Sequence, residues 1–229
     1  RCAAMTLCNL STDADNCAAI AGNGGIPALI ELLEHDSLPC RRYAAMTLAN
    51  LAAMRENQVL IVENGALPPL IELTGSSDDD CKRYGGMCLC NLSAHEANRK
   101  VIVRSGGLRP LVNLALFRSL ECHRASALGL YNLSCEPSNL LPIVEQGGCE
   151  PLIERLESTD IDCKRYAIMT LCNVAANPET RPGAARGGGL QGMVLVAKCE
   201  DLECRKYACV GLCNLACSPS TQVQVIVHG

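Results

Sequence analysis

The sequence has no tryptophan and one phenylalanine, and aromatics make up only 3% of its 229 residues. Burial must therefore rest on aliphatic side chains, in one large core or in several small ones stacked in a row. Charge of one sign is also lacking. The net charge is −4, so no global field points to nucleic acid or a membrane surface. No apolar run approaches the roughly 20 residues of a membrane helix, which argues against direct membrane insertion. Four histidines, His35, His95, His123 and His228, fall in turns or at helix ends without a shared position. A nucleophile–base signature, a phosphate loop and a dinucleotide motif are all missing. Gly187-Gly188-Gly189 follows no strand and so fails as a phosphate cradle. These absences point away from an enzyme, a cofactor and a small-molecule substrate. The chain opens on Arg-Cys-Ala-Ala without an initiator Met, and a longer array is expected beyond both ends.

Repetition is what the sequence has in abundance. Cys40, Cys81, Cys122, Cys163 and Cys204 recur every 41 residues and open segments such as CRRYAAMTLANLA and CKRYAIMTLCNVA. Asn9, Asn50, Asn91, Asn132, Asn173 and Asn214 keep the same register, and so do Gly24, Gly65, Gly106, Gly147, Gly188 and Gly229. Each unit reads as three helical stretches. QVLIVENG is a short helix ending at a Gly suited to a left-handed terminus. ALPPLIEL, with Pro early, is a second helix. An acidic turn (Asp78, Asp79, Asp80; Asp160, Asp162; Glu200, Asp201, Glu203) then caps a third helix, from about Cys81 to Ala94. The frame predicts a leading third helix over 1–14 and full repeats over 15–55, 56–96, 97–137, 138–178 and 179–219. A trailing first helix follows over 220–229. Pro182, Gly183, Gly187, Gly188, Gly189 and Gly192 predict a short or irregular first helix in the last full repeat. No unit of this length buries its own apolar face, so neighbours must stack.

The three-helix unit, the Gly between helices one and two, and the L-x-N-L-[SA] core of helix three resemble the armadillo family along the whole chain. The pattern is nearest to the yeast vacuolar armadillo protein and the armadillo-only proteins, then to beta-catenin. The resemblance implies an all-α, right-handed α-solenoid of three-helix armadillo repeats. Its concave groove would bind an extended peptide of another protein.

With Asn at position zero and 100° per residue, position −4 lies near −40° and position −7 near +20°, on one stripe. Position −2 (Leu7, Leu48, Leu89, Leu130, Leu171, Leu212) lies opposite and must be core, so the Asn stripe faces out. Position −4 holds Met5, Met46, Met87, Leu128, Met169 and Val210; position −7 holds Cys2, Tyr43, Tyr84, Ala125, Tyr166 and Tyr207. A Met stripe is ordinarily core, and an Asn can also bond only within its own repeat. Against that, an Asn buried in every unit would need partners each time. Facing out, its amide can pair with both the N–H and the C=O of a ligand backbone, while Met and Tyr accept apolar side chains.

Position −8 is basic throughout: Arg1, Arg42, Arg83, Arg124, Arg165 and Lys206. A positive row at the groove edge would favour acidic–apolar ligands. Asp79–Arg83, Asp162–Arg165 and Glu203–Lys206 have helical ion-pair spacing, so partial neutralisation is expected. Arg41, Lys82, Lys164 and Arg205, at −9, read as a solvated helix end. Importin-alpha proteins resemble this chain in the Asn ladder but carry Trp at −4 beside acidic residues to grip Lys and Arg. The absent Trp and the Tyr at −7 depart from that pattern. A nuclear transport receptor remains the alternative, and a structural piece whose groove is filled in cis is a third. Equivalent Cys of adjacent repeats are too far apart for disulfides, and buried, reduced thiols in a cytoplasmic protein, with a nuclear location left open, are the simple reading. Cys209, Cys213 and Cys217 share a helix face but lack zinc-site spacing, as does Cys88-x-Cys90. Leu116-Phe117 sits in a turn, as local packing or an outer-face contact.

Overall fold

The computed structural model of the chain describes residues 1–219 and 221–222, and their regular structure is entirely helical. It divides into two compact units, residues 1–117 and 118–229. The first carries α1 (Cys2–Leu10), then α2 (Ala14–Gly22), α3 (Gly25–Leu33) and α4 (Leu38–Ala52). It continues with α5 (Arg55–Glu63), α6 (Leu67–Leu73), α7 (Asp79–Ser93), α8 (Glu96–Arg104) and α9 (Leu108–Leu114). The second carries α10 (Leu120–Ser134), α11 (Leu140–Glu145), α12 (Cys149–Arg155) and α13 (Ile161–Ala176). It ends with α14 (Arg181–Ala185), α15 (Gly189–Val196) and α16 (Leu202–Ala216). Apart from Thr221 and Gln222, the expected trailing helix lies outside the described residues, as do His228 and Gly229.

The helices start and stop where the local chemistry directs. The side chains of Asp78, Asp160 and Asp201 accept from the N–H of Cys81, Cys163 and Cys204 at 2.9, 2.9 and 2.8 Å, as N-caps do. The first helix of each repeat ends before a glycine, and Gly65 has φ +82. Nothing lies within 4 Å of where its Cβ would be, so Gly is required there by backbone conformation alone. Gly65→Ala should therefore lower stability by about 1–2 kcal/mol, the left-handed penalty, with Gly65→Asn losing less; thermal melts compare them. α14 is the short first helix expected of a segment carrying Pro182 and Gly183.

Small aliphatic cores hold the layers together. In the first unit Leu48 and Leu89 are 0% exposed, and in the second Leu130 and Leu171 are too. Helix three of one repeat touches helix two on both sides, which small residues allow. A Cβ on Gly85 would meet Thr74 of the preceding helix two, and one on Gly86 would lie 2.8 Å from Leu114 of the next. A buried polar ladder, unforeseen from the sequence, ties helix one to the end of helix three. Asn57, Asn98 and Asn139 donate to the carbonyls of Leu51, Leu92 and Leu133 at 3.1, 3.0 and 3.1 Å. Thr180 and Thr221 do the same to Val174 and Leu215. Each bond reaches a carbonyl in the last turn of a third helix, where the regular ladder runs out.

Candidate functional site

The third helices alternate as the stripe demands. While position −2 is sealed in α4, α7, α10 and α13, the side chains at −7, −4 and zero stay accessible to solvent, Asn132 of α10 excepted. Met46, Met87 and Met169 are half-buried, as are Tyr43, Tyr84, Tyr166 and Tyr207. Asn50, Asn91, Asn173 and Asn214 are half-buried and Asn9 is exposed, but Asn132 is only 8% exposed. The structure thus brings Asn, Met and Tyr together on one face within each unit, with Asn132 the most covered rung.

The asparagines also bond across repeats. Asn50 Nδ2 donates to Ser11 Oγ at 2.9 Å, Asn91 Nδ2 to the Ala49 carbonyl at 2.9 Å, and Asn173 Nδ2 to Ser134 Oγ at 2.9 Å. The acceptor follows from one residue of the preceding repeat. Where the residue two after its Asn is Ser (Ser11, Ser134), the hydroxyl accepts; where it is Ala52, a carbonyl in the last turn of α4 does. One amide N–H is thereby fixed, which locks the side chain. Among the described residues nothing else bonds these three amides, so a second N–H and Oδ1 are left unbonded on each. In the first unit the stripe opens into a cleft of about 350 Å³ bordered by Arg1, Pro39, Arg42, Tyr43, Met46, Asp80 and Tyr84.

The basic row is clamped by the next repeat. Arg42 Nε donates to Asp78 Oδ1 at 2.8 Å, Arg124 Nε to Asp160 Oδ2 at 3.1 Å, and Arg165 to Asp201 at 2.9 Å. Each of these aspartates is also a helix N-cap, so one carboxylate ends one repeat's charge row and starts the next repeat's third helix. The Arg42 guanidinium and the Cys81 N–H hold the Asp78 carboxyl well below the usual carboxylate range, and Arg124 with Cys163 does the same to Asp160. Bonds from Cys204 and then Arg165 bring Asp201 down to about 2. The Asp79–Arg83 pair that the sequence suggested is not made. Asp79 takes Lys82 at 3.1 Å and Arg83 takes Asp80 at 3.0 Å, because residues three apart face each other here. Asp162–Arg165 and Glu203–Lys206 do approach, at 3.6 and 3.8 Å.

The repeat-opening thiols are buried, and burial pushes Cys81, Cys163 and Cys204 up to about 11, 12 and 12, which disfavours the nucleophilic thiolate. Cys88 is pushed up by burial as well. Cys209 and Cys213 on α16 and Cys217 at its C-cap are exposed. Among the described residues no three His, Cys, Asp or Glu gather to hold a metal ion, and no helix is long and apolar enough to cross a membrane. His123 Nδ1 lies 2.8 Å from Arg155, and Leu116 is 80% exposed in its turn.

An armadillo/beta-catenin-like repeat model matches residues 13–53 and 95–135. A designed armadillo repeat protein superposes with a TM-score of 0.81 at 22% identity, over 93% of this chain and 91% of that one. The fold is an armadillo solenoid. Computationally designed armadillo proteins for modular peptide recognition superpose with a TM-score of 0.82 at 22% identity, again over 93% of this chain and 91% of that chain. A further designed armadillo protein, in complex with the peptide (KR)4, gives 0.78 at 21% identity over 93% and 91%. An engineered protein is 29% identical with a TM-score of 0.84, over 98% of this chain and 56% of its own. No curated protein matches the chain. In the armadillo frame, sequence reasoning located the stripe but missed Ser11 and Ser134 as Asn acceptors and the doubled duty of Asp78, Asp160 and Asp201. The Ser in the N-L-S triplets was the available signal.

Proposed function

We propose that this chain is a protein-interaction scaffold that holds an extended segment of a partner protein along the helix-three stripe. The observation that carries the reading is the half-anchored amide of Asn50, Asn91 and Asn173. One N–H is fixed by the preceding repeat, and the remaining N–H and Oδ1 match the C=O and N–H of a peptide backbone. Helices in contact lie about 8–10 Å apart and extended chain advances about 3.3 Å per residue, so one Asn serves roughly every third ligand residue. Such bonds ignore ligand side chains. Specificity falls to Met46, Met87 and Met169 and to the rings of Tyr43, Tyr84, Tyr166 and Tyr207. The nearer resemblance in pattern to the yeast vacuolar and armadillo-only proteins and to beta-catenin supports the same role. Buried thiols with raised pKa values suit a reducing compartment such as the cytoplasm.

The ligand is an acidic–apolar segment in which the apolar part dominates. Arg42, Arg124 and Arg165 already face a carboxylate each, so they can bias a ligand's charge only weakly. An importin-like role would instead need acidic sites for Lys and Arg, as the (KR)4 complex of the designed relative brings to mind. A peptide array on the folded chain separates these. Acidic–apolar peptides should bind with an affinity that changes little with salt, and (KR)4 should not. Strong, salt-sensitive selection of (KR)4 would replace this reading with the transport receptor.

A further inference from the structure

The anchors of the asparagine ladder all lead to one kind of acceptor. Ser11 Oγ donates to the Cys8 carbonyl and Ser134 Oγ to the Tyr131 carbonyl, each at 2.8 Å. Cys8 and Tyr131 directly precede Asn9 and Asn132, as Ala49 precedes Asn50. Asn50 and Asn173 therefore reach that carbonyl through a hydroxyl, whereas Asn91 takes the Ala49 carbonyl itself. A hydroxyl whose one proton is committed can only accept, so the next amide must turn an N–H toward it. The direct route needs a carbonyl released from its helix. α4 releases it by tightening its last turn, where the Ala53 N–H bonds three residues back, to Asn50 at 3.2 Å, and not four back to Ala49.

α13 offers neither route. The residue two after Asn173 is Ala175, 0% exposed and without a hydroxyl. The helix runs regularly to Ala176, whose N–H keeps the Cys172 carbonyl in the ladder. Asn214 on α16 is half-buried, and among the described residues its side chain makes no hydrogen bond. Nothing in the preceding repeat sets which way its amide points.

Resting on the peptide-binding role above, we propose that the residue two after each Asn is a positioning residue for the next rung. Ser11 pre-sets Asn50 and Ser134 pre-sets Asn173, while Ala175 leaves Asn214 to be ordered by the ligand, at a cost in side-chain entropy. The second unit thus grips a backbone firmly at Asn173 and adaptably at Asn214. Ala175→Ser completes the missing anchor. The new hydroxyl donates to the Cys172 carbonyl, as Ser134 does to Tyr131, and accepts from the Asn214 amide.

The test titrates wild type and Ala175→Ser, each verified as folded by circular dichroism, with acidic–apolar peptides whose affinity falls in Asn173→Ala. The peptides need at least about six residues, the span of two rungs. Ala175→Ser should raise affinity about three- to tenfold, and the gain should vanish when Asn214→Ala is added. In nitrogen–proton correlation spectra of the ligand-free chain, the Asn214 side-chain amide signals should shift. Unchanged affinity, or amide signals that stay in place, would overturn the positioning role while leaving the peptide-binding reading intact. A gain that survives Asn214→Ala would overturn it too, because the new hydroxyl would then act on the fold and not on the rung. If no peptide depends on Asn173, the reading itself fails, and this inference with it. Should Ala175→Ser not fold, Ser134→Ala tests the anchor by loss: the Asn173 amide signals must move, and unmoved signals would overturn the proposal.

Discussion

Replacing Asn98 by alanine lowers the free energy of unfolding by roughly 2–4 kcal/mol. Its amide donates to two carbonyls, Gln58 at 2.9 Å and Leu92 at 3.0 Å, from a side chain only 2% exposed. Deletion leaves the Leu92 carbonyl unsatisfied, at about 1–3 kcal/mol, and takes a second bond, worth about 1 kcal/mol, from the Gln58 carbonyl that the ladder of α5 already pairs. Asn98→Asp should cost at least as much, since it keeps the shape, removes both donors and buries a charge. Asn64 gives the control. Its amide makes the same kind of bond, to Leu60 at 2.8 Å, but on the surface, so Asn64→Ala should stay within about 0.5 kcal/mol. Chemical denaturation of the three variants measures this, and a loss below about 1 kcal/mol for Asn98→Ala would contradict the proposed weight of the buried ladder.

The second large effect centres on Asp78. Asp78→Ala removes the N-cap of α7, worth about 1 kcal/mol, and also the carboxylate that clamps Arg42 from the preceding repeat. Asp78→Asn keeps a cap acceptor and loses only the charge, so it should fall between wild type and Asp78→Ala. Acid gives the finer discrimination. The Asp78 carboxyl titrates below its unfolded value of about 3.9, chiefly through Arg42 and then Cys81. Its contribution is fully present above that value and is lost as pH falls through the folded pKa. Asp160 and Asp201 shift in the same direction, so stability should hold down to about pH 4 and decline steeply below it. The melting-temperature gap between wild type and Asp78→Asn should be widest near neutrality and close across that acid range. A gap independent of pH would mean that the Arg42 clamp adds nothing to stability.

The fold was legible because its signals repeat. A Leu at −2 reads as core in any single helix, but six in register, opposite six Asn, also fix which face looks outward. The 100° geometry of one helix sufficed for that, and Leu48 and Leu89 at 0% exposure agree with it. Contacts between repeats were harder to read. Arg42, Arg124 and Arg165 each find an aspartate 36 residues on, an offset set by stacking rather than by any helix period. Inspection of i, i+3 and i, i+4 spacings sees only the weaker partners. In the same way, the Ser or Ala that closes L-x-N-L-[SA] looks like tolerated variation in sequence. In space it decides whether Asn50 meets Ser11 Oγ or Asn91 meets a backbone carbonyl. The buried ladder of Asn57, Asn98 and Asn139 was hidden for another reason. Thr180 and Thr221 replace Asn in later repeats and make the same bond with a different group.

These bonds also bear on how the stripe would grip a ligand. An amide free to rotate would lose side-chain entropy on binding. One anchored through Nδ2 presents its other N–H and Oδ1 in a fixed direction. Each backbone bond contributes about 1 kcal/mol net, so Asn50 and Asn91, at one such bond each, should together account for a roughly 10- to 100-fold change in affinity. Asn132, nearly buried, is a poor probe of the same idea.

The most direct test is therefore a titration of an array-selected peptide against wild type and the double variant Asn50→Ala, Asn91→Ala, with melting temperatures recorded alongside. The account predicts affinity reduced 10- to 100-fold for the double variant, whatever the peptide's side chains, while the fold persists. Equal affinity in a folded double variant would contradict the claim that the asparagine ladder holds a partner's backbone, and would move the binding surface elsewhere on the chain.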